Sequence, residues 1–69
     1  MILYRFTGTV EKTVNDYATV NLMKDGEKWD TILNKKVLEP EGVFRNGARF
    51  EMDIISGMGT LVTTVKAKP

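Results

Sequence analysis

The stretch "YATVNLMKDGEKWDTIL", residues 17–33, contains two runs of alternating apolar and polar residues joined by Asp-Gly at 25–26. Alternation of this kind predicts two half-buried strands, and an Asp-Gly pair between them favours a two-residue type I′ hairpin turn. The turn sets the register of the two strands and places Leu22 opposite Trp29. The stretch therefore predicts a β-hairpin with one nearly continuous apolar face.

The register of this hairpin decides where Trp29 points. In the register set by the Asp-Gly turn, Trp29 lies on the apolar face and belongs to the core, which is the arrangement we expect. A one-residue shift of the turn would reverse the two faces and leave the ring exposed for stacking. The opposite face carries the outward apolar side chains Tyr17, Met23 and Ile32.

A further strand precedes the hairpin. Apolar residues recur at every second position from Tyr4 to Val10, with Gly8 among them, and Asn-Asp at 15–16 predicts the turn into the hairpin. Gly8 leaves a gap on the apolar face of this strand. A glycine at such a position favours a bulge or a sharp bend that lets a small sheet curl, so the sequence favours a barrel over a flat sheet.

Residues 34–47 lack alternation and contain Pro40 and two glycines, so they predict a connector rather than a strand. Asn34 can cap a single helical turn that ends before Pro40. The apolar side chains that could plug the end of a barrel are Val37, Leu38 and Phe44.

Two strands follow the connector. The alternation from Ala48 to Ile54 is the clearest two-faced pattern in the chain, and a last strand is expected at 60–65. The glycine-containing segment 55–59 predicts the turn between them, and we expect the tail at 66–69 to be frayed.

Five strands with a connector between the third and the fourth predict an all-β fold in a single domain spanning residues 1–69. The barrel is expected to be either OB-like or SH3-like. The segments "GTV", "YATV", "DGE" and "EGVFRNGARF" resemble uncharacterised short bacterial barrel domains of this layout. The resemblance implies a binding role toward nucleic acid, toward the ribosome or a polymerase, or as a protein adaptor.

The composition excludes several kinds of chemistry. The 69 residues include no histidine and no cysteine, so a Ser-His-Asp or Cys-His catalytic group, a disulfide and an ordinary zinc or haem site cannot form. We therefore expect no enzymatic activity, no bound metal and no cofactor. The apolar start is interrupted by Arg5 and is too short for a signal peptide or a membrane span, which favours a cytoplasmic location.

Two binding functions remain, and they use different residues. In the first, which we favour by analogy with other small barrels, the chain binds single-stranded nucleic acid. An exposed tyrosine would stack on a base and basic side chains would contact phosphates, although a net charge of +1 argues against this function. The residues expected to contact nucleic acid are Tyr17, Lys28, Lys35, Lys36, Arg45 and Arg49.

The second function is a protein-interaction module or a homo-oligomeric accessory subunit. Its docking surface would be an unpaired edge strand or the outward apolar face of the hairpin, formed by Tyr17, Met23 and Ile32. Neither function requires a cofactor or a membrane.

Overall fold

The structure is a computed structural model that describes residues 2–69. It contains one antiparallel five-stranded sheet with strand order β3-β2-β1-β4-β5. The elements are β1 (Ile2–Val14), β2 (Tyr17–Lys24), β3 (Glu27–Asn34), the helical turn α1 (Lys35–Leu38), a 3-10 turn (Glu39–Glu41), β4 (Arg49–Ser56) and β5 (Leu61–Ala67). The prediction of five strands, with one helical turn between the third and the fourth, is confirmed.

The hairpin between β2 and β3 has the register that its turn predicts. Leu22 pairs with Trp29, and the pairs run without a shift from Lys24 with Glu27 at the turn to the far end of both strands. Asp25 has a φ of 53° and the glycine after it has a φ of 79°. A type I′ turn requires a positive φ at both central positions, and Asp-Gly tolerates this conformation better than most pairs.

The sheet is built around β1, which pairs with β2 on one side and with β4 on the other. This leaves β3 and β5 as the two edge strands of the sheet. No ladder joins β3 to β5 within residues 2–69, so closure of the barrel stays a prediction. The helical turn α1 contacts both edge strands and therefore covers one end of the gap between them.

Of the three connector side chains predicted to plug the end of a barrel, Leu38 is buried, whereas Val37 and Phe44 are only partly buried. The Asn34 side chain accepts a hydrogen bond from the backbone N–H of Lys36 at 2.8 Å and so caps α1. Leu38 is fully buried, and the backbone N–H of Val43 donates to its carbonyl at 3.2 Å. The buried core consists of Val10, Ala18, Val20, Leu22, Leu38, Val43, Ala48, Phe50 and Met52.

The prediction of a bulge at Gly8 is wrong, and so is the prediction of a frayed tail at residues 66–67. Gly8 is not at a bulge, because it pairs regularly with Leu22 and with Phe50, and the irregularity between β1 and β2 lies at residues 10–12. The tail is not frayed at Lys66 and the residue after it, because both continue β5 in its ladder with β4. Backbone pairing with β4 gives these residues partners that the sequence alone does not reveal.

Candidate functional site

An apolar groove lies on the inner face of the sheet, beside the β2–β3 turn. Its volume is about 550 Å³. β1 pairs with β2 on one side and with β4 on the other, so its inward side chains lie between those of the two neighbouring strands and form the floor of the groove. The apolar residues that line it are Tyr4, Phe6, Leu22, Trp29, Met52 and Ile54.

Three aromatic rings follow one another along this groove. The Phe6 and Trp29 rings meet edge to face with centroids 5.7 Å apart, and Tyr4 lies on the other side of Phe6 at 6.4 Å. Edge-to-face pairs of this kind hold aromatic rings in defined orientations. Tyr4 is 51% exposed and Trp29 is 42% exposed. The rings therefore form an ordered, accessible apolar surface.

The prediction that Trp29 belongs to the core is wrong. Its register and its face are as predicted, because it pairs with the buried Leu22 and contacts Phe6 on the inner side. The ring is nevertheless exposed because β3 is an edge strand, and no described strand packs beyond it to cover the ring. The interpretation with an exposed ring is therefore correct, although it arises without the shift in register that we linked to it.

The charged residues of the groove lie at the β2–β3 turn. Lys24 forms an ion pair with Asp25 at 2.6 Å, and this contact raises the pKa of the lysine. The Lys24 ammonium also lies 5.8 Å from the centre of the Tyr4 ring, within the range of a cation–π contact. Glu27 is the remaining charged residue of the lining. Lys24, Asp25 and Glu27 together give this end of the groove, its rim, a net charge of one negative unit.

The residues predicted to contact nucleic acid do not form one surface. Tyr17, Lys35 and Lys36 come together around a second groove of about 500 Å³ at the start of α1, which also includes Asp16 and Glu39. The two carboxylates offset the two lysines. Lys35 in particular pairs with Glu39 at 3.3 Å and lies 5.5 Å from the centre of the Phe44 ring.

The remaining members of that set lie elsewhere. Lys28 pairs with Met23 on the outer face of the β2–β3 hairpin. Arg49 pairs with Thr9 at the start of β4, and Arg45 is an exposed residue of the connector. The aromatic groove and the predicted basic residues therefore occupy different parts of the molecule.

The residues predicted to contact a protein are only partly grouped. Tyr17 and Ile32 line a shallow groove of about 320 Å³ on the outer face, together with Val14. Met23 is on the same face of β2, but it lies at the opposite end of the strand from Tyr17. All three predicted side chains are exposed, and Ile32 is 63% exposed.

Sequence reasoning missed Tyr4 and Phe6 as members of an accessible surface. Their alternation along β1 placed them on the apolar face, and an apolar face is normally covered. The missing information was that the ladder of β1 with β2 begins only at Thr7, and that β3 ends the sheet on the far side of β2. This is a property of the whole strand order rather than of the β1 sequence.

Two further kinds of site are absent from the part of the chain that the structure describes. Residues 2–69 contain no group of three acidic, histidine or cysteine side chains able to hold a metal ion. The longest α-helical segment among the same residues has four residues, so none of them could cross a bilayer as a helix. Comparisons of the chain with family models, with curated proteins and with solved structures found no match.

Proposed function

We propose that this chain is a non-catalytic protein-interaction module that binds an apolar protein segment in the groove of Tyr4, Phe6 and Trp29. The observation that supports the proposal is the exposure of two of these rings beside a mostly apolar lining. Aromatic side chains in desolvated pockets supply much of the binding energy at protein interfaces. A cytoplasmic location is part of this proposal, since a chain without cysteine needs no oxidising compartment.

Charge favours a protein over a nucleic acid as the ligand. The only cation of the groove, Lys24, is already paired with Asp25, and Glu27 adds a second carboxylate. A phosphate backbone would meet this net negative rim, whereas sites for single-stranded nucleic acid combine stacking rings with a positively charged track. An apolar protein segment meets no such repulsion.

Single-stranded nucleic acid remains the second candidate, and one observation favours it. The exposed rings of Tyr4 and Trp29 provide the stacking surface that the sequence offered only through Tyr17. Base stacking on aromatic rings is tolerant of sequence and contributes about 1–3 kcal/mol per base. In this case the lysines at 35 and 36 would have to contact phosphates from outside the groove.

The proposal is tested with a displayed library of random peptides selected on the purified protein. Enriched peptides are synthesised and titrated while the fluorescence of Trp29, the single tryptophan of the chain, is followed. We expect Tyr4→Ala to weaken their binding about tenfold or more, as the loss of an aromatic anchor does. Tyr17→Ala is the matched control, since Tyr17 is 53% exposed but lies outside the groove.

Two outcomes contradict the proposal. One is a selection that yields no peptide whose binding depends on Tyr4. The other is tight binding of an oligo-dT strand that Tyr4→Ala abolishes, which would establish the nucleic-acid function instead. For that function, Lys35→Ala with Lys36→Ala should also flatten the slope of log affinity against log salt by roughly one to two.

A further inference from the structure

The outer edge of β3 has hydrogen-bonding groups without a strand partner in residues 2–69. In an antiparallel hairpin closed by a two-residue turn, every second residue bonds across to the partner strand. The register with β2 assigns those bonds to Glu27, Trp29 and Thr31. The backbone groups of Lys28, Asp30 and Ile32 therefore point to the free edge.

Exposed edges of this kind are the usual sites where a further strand adds to a sheet. The start of the β3 edge has one common protection, its charged side chains, but it lacks the others. It contains no proline and pairs with β2 without a bulge, and α1 follows only at its far end.

We propose that two copies of this chain pair through their β3 edges, antiparallel and about a two-fold axis that passes at Trp29. This inference goes beyond the proposed function, since it concerns the strand edge rather than the ligand of the groove. In this register Lys28 of one copy lies opposite Asp30 of the other, and the symmetry repeats the pair on the other side of the axis. Trp29 lies opposite its own equivalent.

Charge complementarity selects this register among the symmetric ones. A two-fold axis at Lys28 sets two lysines opposite each other, and an axis at Asp30 sets two carboxylates opposite each other. An axis at Thr31 places Asp30 against Ile32, which leaves the carboxylate unpaired. Opposite charges facing each other across two strands stabilise the pairing, and like charges weaken it.

The pairing also covers exposed apolar surface. Trp29 is 42% exposed in the single chain, and a second Trp29 on the same face would shield part of that area. Residues of an antiparallel pair that do not exchange hydrogen bonds lie especially close, and Trp29 occupies such a position across the axis. The two grooves would then adjoin, one on each side of the axis. A short strand pair buries little area, so we expect a weak dimer.

Reversal of charge at the two edge positions tests the pairing. Lys28→Asp alone and Asp30→Lys alone each place like charges across both symmetric pairs, and each should weaken self-association about tenfold. The double variant Lys28→Asp with Asp30→Lys should restore it. A mixture of the two single variants should form a mixed dimer, since the carboxylates of one then face the lysines of the other.

Sedimentation equilibrium at increasing protein concentration, starting from the 7.8 kDa monomer, measures each association constant. Lys12→Asp and Glu11→Lys are controls that change the charge equally at exposed positions of β1, away from the β3 edge. The proposal is overturned if the wild-type protein stays monomeric at millimolar concentration. It is also overturned if the single variants lose self-association and neither the double variant nor the mixture of the single variants recovers it. Peptide binding in the groove is measured separately, so failure of the dimer leaves the proposed function standing.

Discussion

At the scale of single residues, Gly8 shows how a core this small obtains its largest fully buried side chain. Gly8 pairs with Phe50 across β1 and β4, and the Phe50 ring lies over the glycine where a Cβ atom would otherwise be. Phe50 is completely buried, so its ring cannot turn toward solvent to make room for a side chain at position 8. The absence of a side chain at position 8 therefore makes room for the ring.

We expect Gly8→Ala to destabilise the fold by about 1–3 kcal/mol, because the added methyl group overlaps the Phe50 ring and forces a shift in the packed core. Urea denaturation followed by circular dichroism measures the loss. Phe50→Leu combined with Gly8→Ala should cost less than the sum of the two single changes, since the smaller side chain relieves the overlap. Additive effects of the two changes would contradict this explanation.

At the scale of strands, the ladder between β1 and β4 is joined on its outer face by an ion pair. Arg5 donates two hydrogen bonds to the carboxylate of Asp53, at 2.8 and 3.1 Å, and Glu51 lies 3.5 Å from the same guanidinium. Arg5 and Asp53 are directly opposite in the register. The hydrogen bonds from Arg5 lower the pKa of Asp53 below its ordinary value of 3.8.

This shift predicts a contribution to stability that depends on pH. Because the pKa of Asp53 is lower in the folded state, the contribution is fully present above pH 3.8 and is lost as the pH falls through the lowered value. Asp53→Asn should reduce the free energy of unfolding at neutral pH and make its decline in acid less steep. Unfolding curves recorded from neutral pH to strong acid measure both effects.

Glu41→Gln is the control for this prediction, since it removes an exposed carboxylate of the 3-10 turn, away from the ladder of β1 and β4. It should leave the decline in acid as steep as in the wild type. An equal flattening in both variants would show that the decline comes from the total charge rather than from the pair with Arg5.

The strands also show which features the sequence could predict. The Asp-Gly turn and the alternation on either side of it determine the β2–β3 register, because both signals lie within one short stretch. Asn34 capped α1 as expected for the same reason. The exposure of Trp29 depends instead on where β4 and β5 join the sheet, and no local pattern carries that information. The aromatic groove was therefore not predictable from the hairpin alone.

At the scale of the whole molecule, the connector and the sheet share one core. Leu38 of α1 is fully buried with residues of β1, β2 and β4, whereas large side chains such as Ile32 and Leu61 are exposed on the strands. A chain of this size buries a smaller share of its surface than a larger domain does. Each fully buried side chain therefore carries a large part of the total stability.

We expect Leu38→Ala to cost about 2–5 kcal/mol and to lower the stability of the entire domain rather than of α1 alone. The circular dichroism of the strands and the fluorescence of Trp29 should then shift to the same lower urea midpoint. Leu61→Ala removes the same atoms at a side chain that is 67% exposed, and it should change the stability by no more than about 0.5 kcal/mol. Separate midpoints for the two signals would show that the domain does not unfold in one step, which would contradict a single shared core.

The central place of β1 also has a consequence for synthesis and folding. Its partner β2 is made immediately after it, but β4 is translated only after the hairpin and the connector, and the pairs reach as far as Ile2 with Ile55. Until β4 has been synthesised, β1, β2 and β3 form a three-stranded meander in which β1 is an edge strand. The unpaired backbone groups of this long edge make the intermediate prone to aggregation. Closing that distant ladder requires a large loss of chain entropy, so it should govern the folding rate and place it among slow, millisecond-to-second β-proteins.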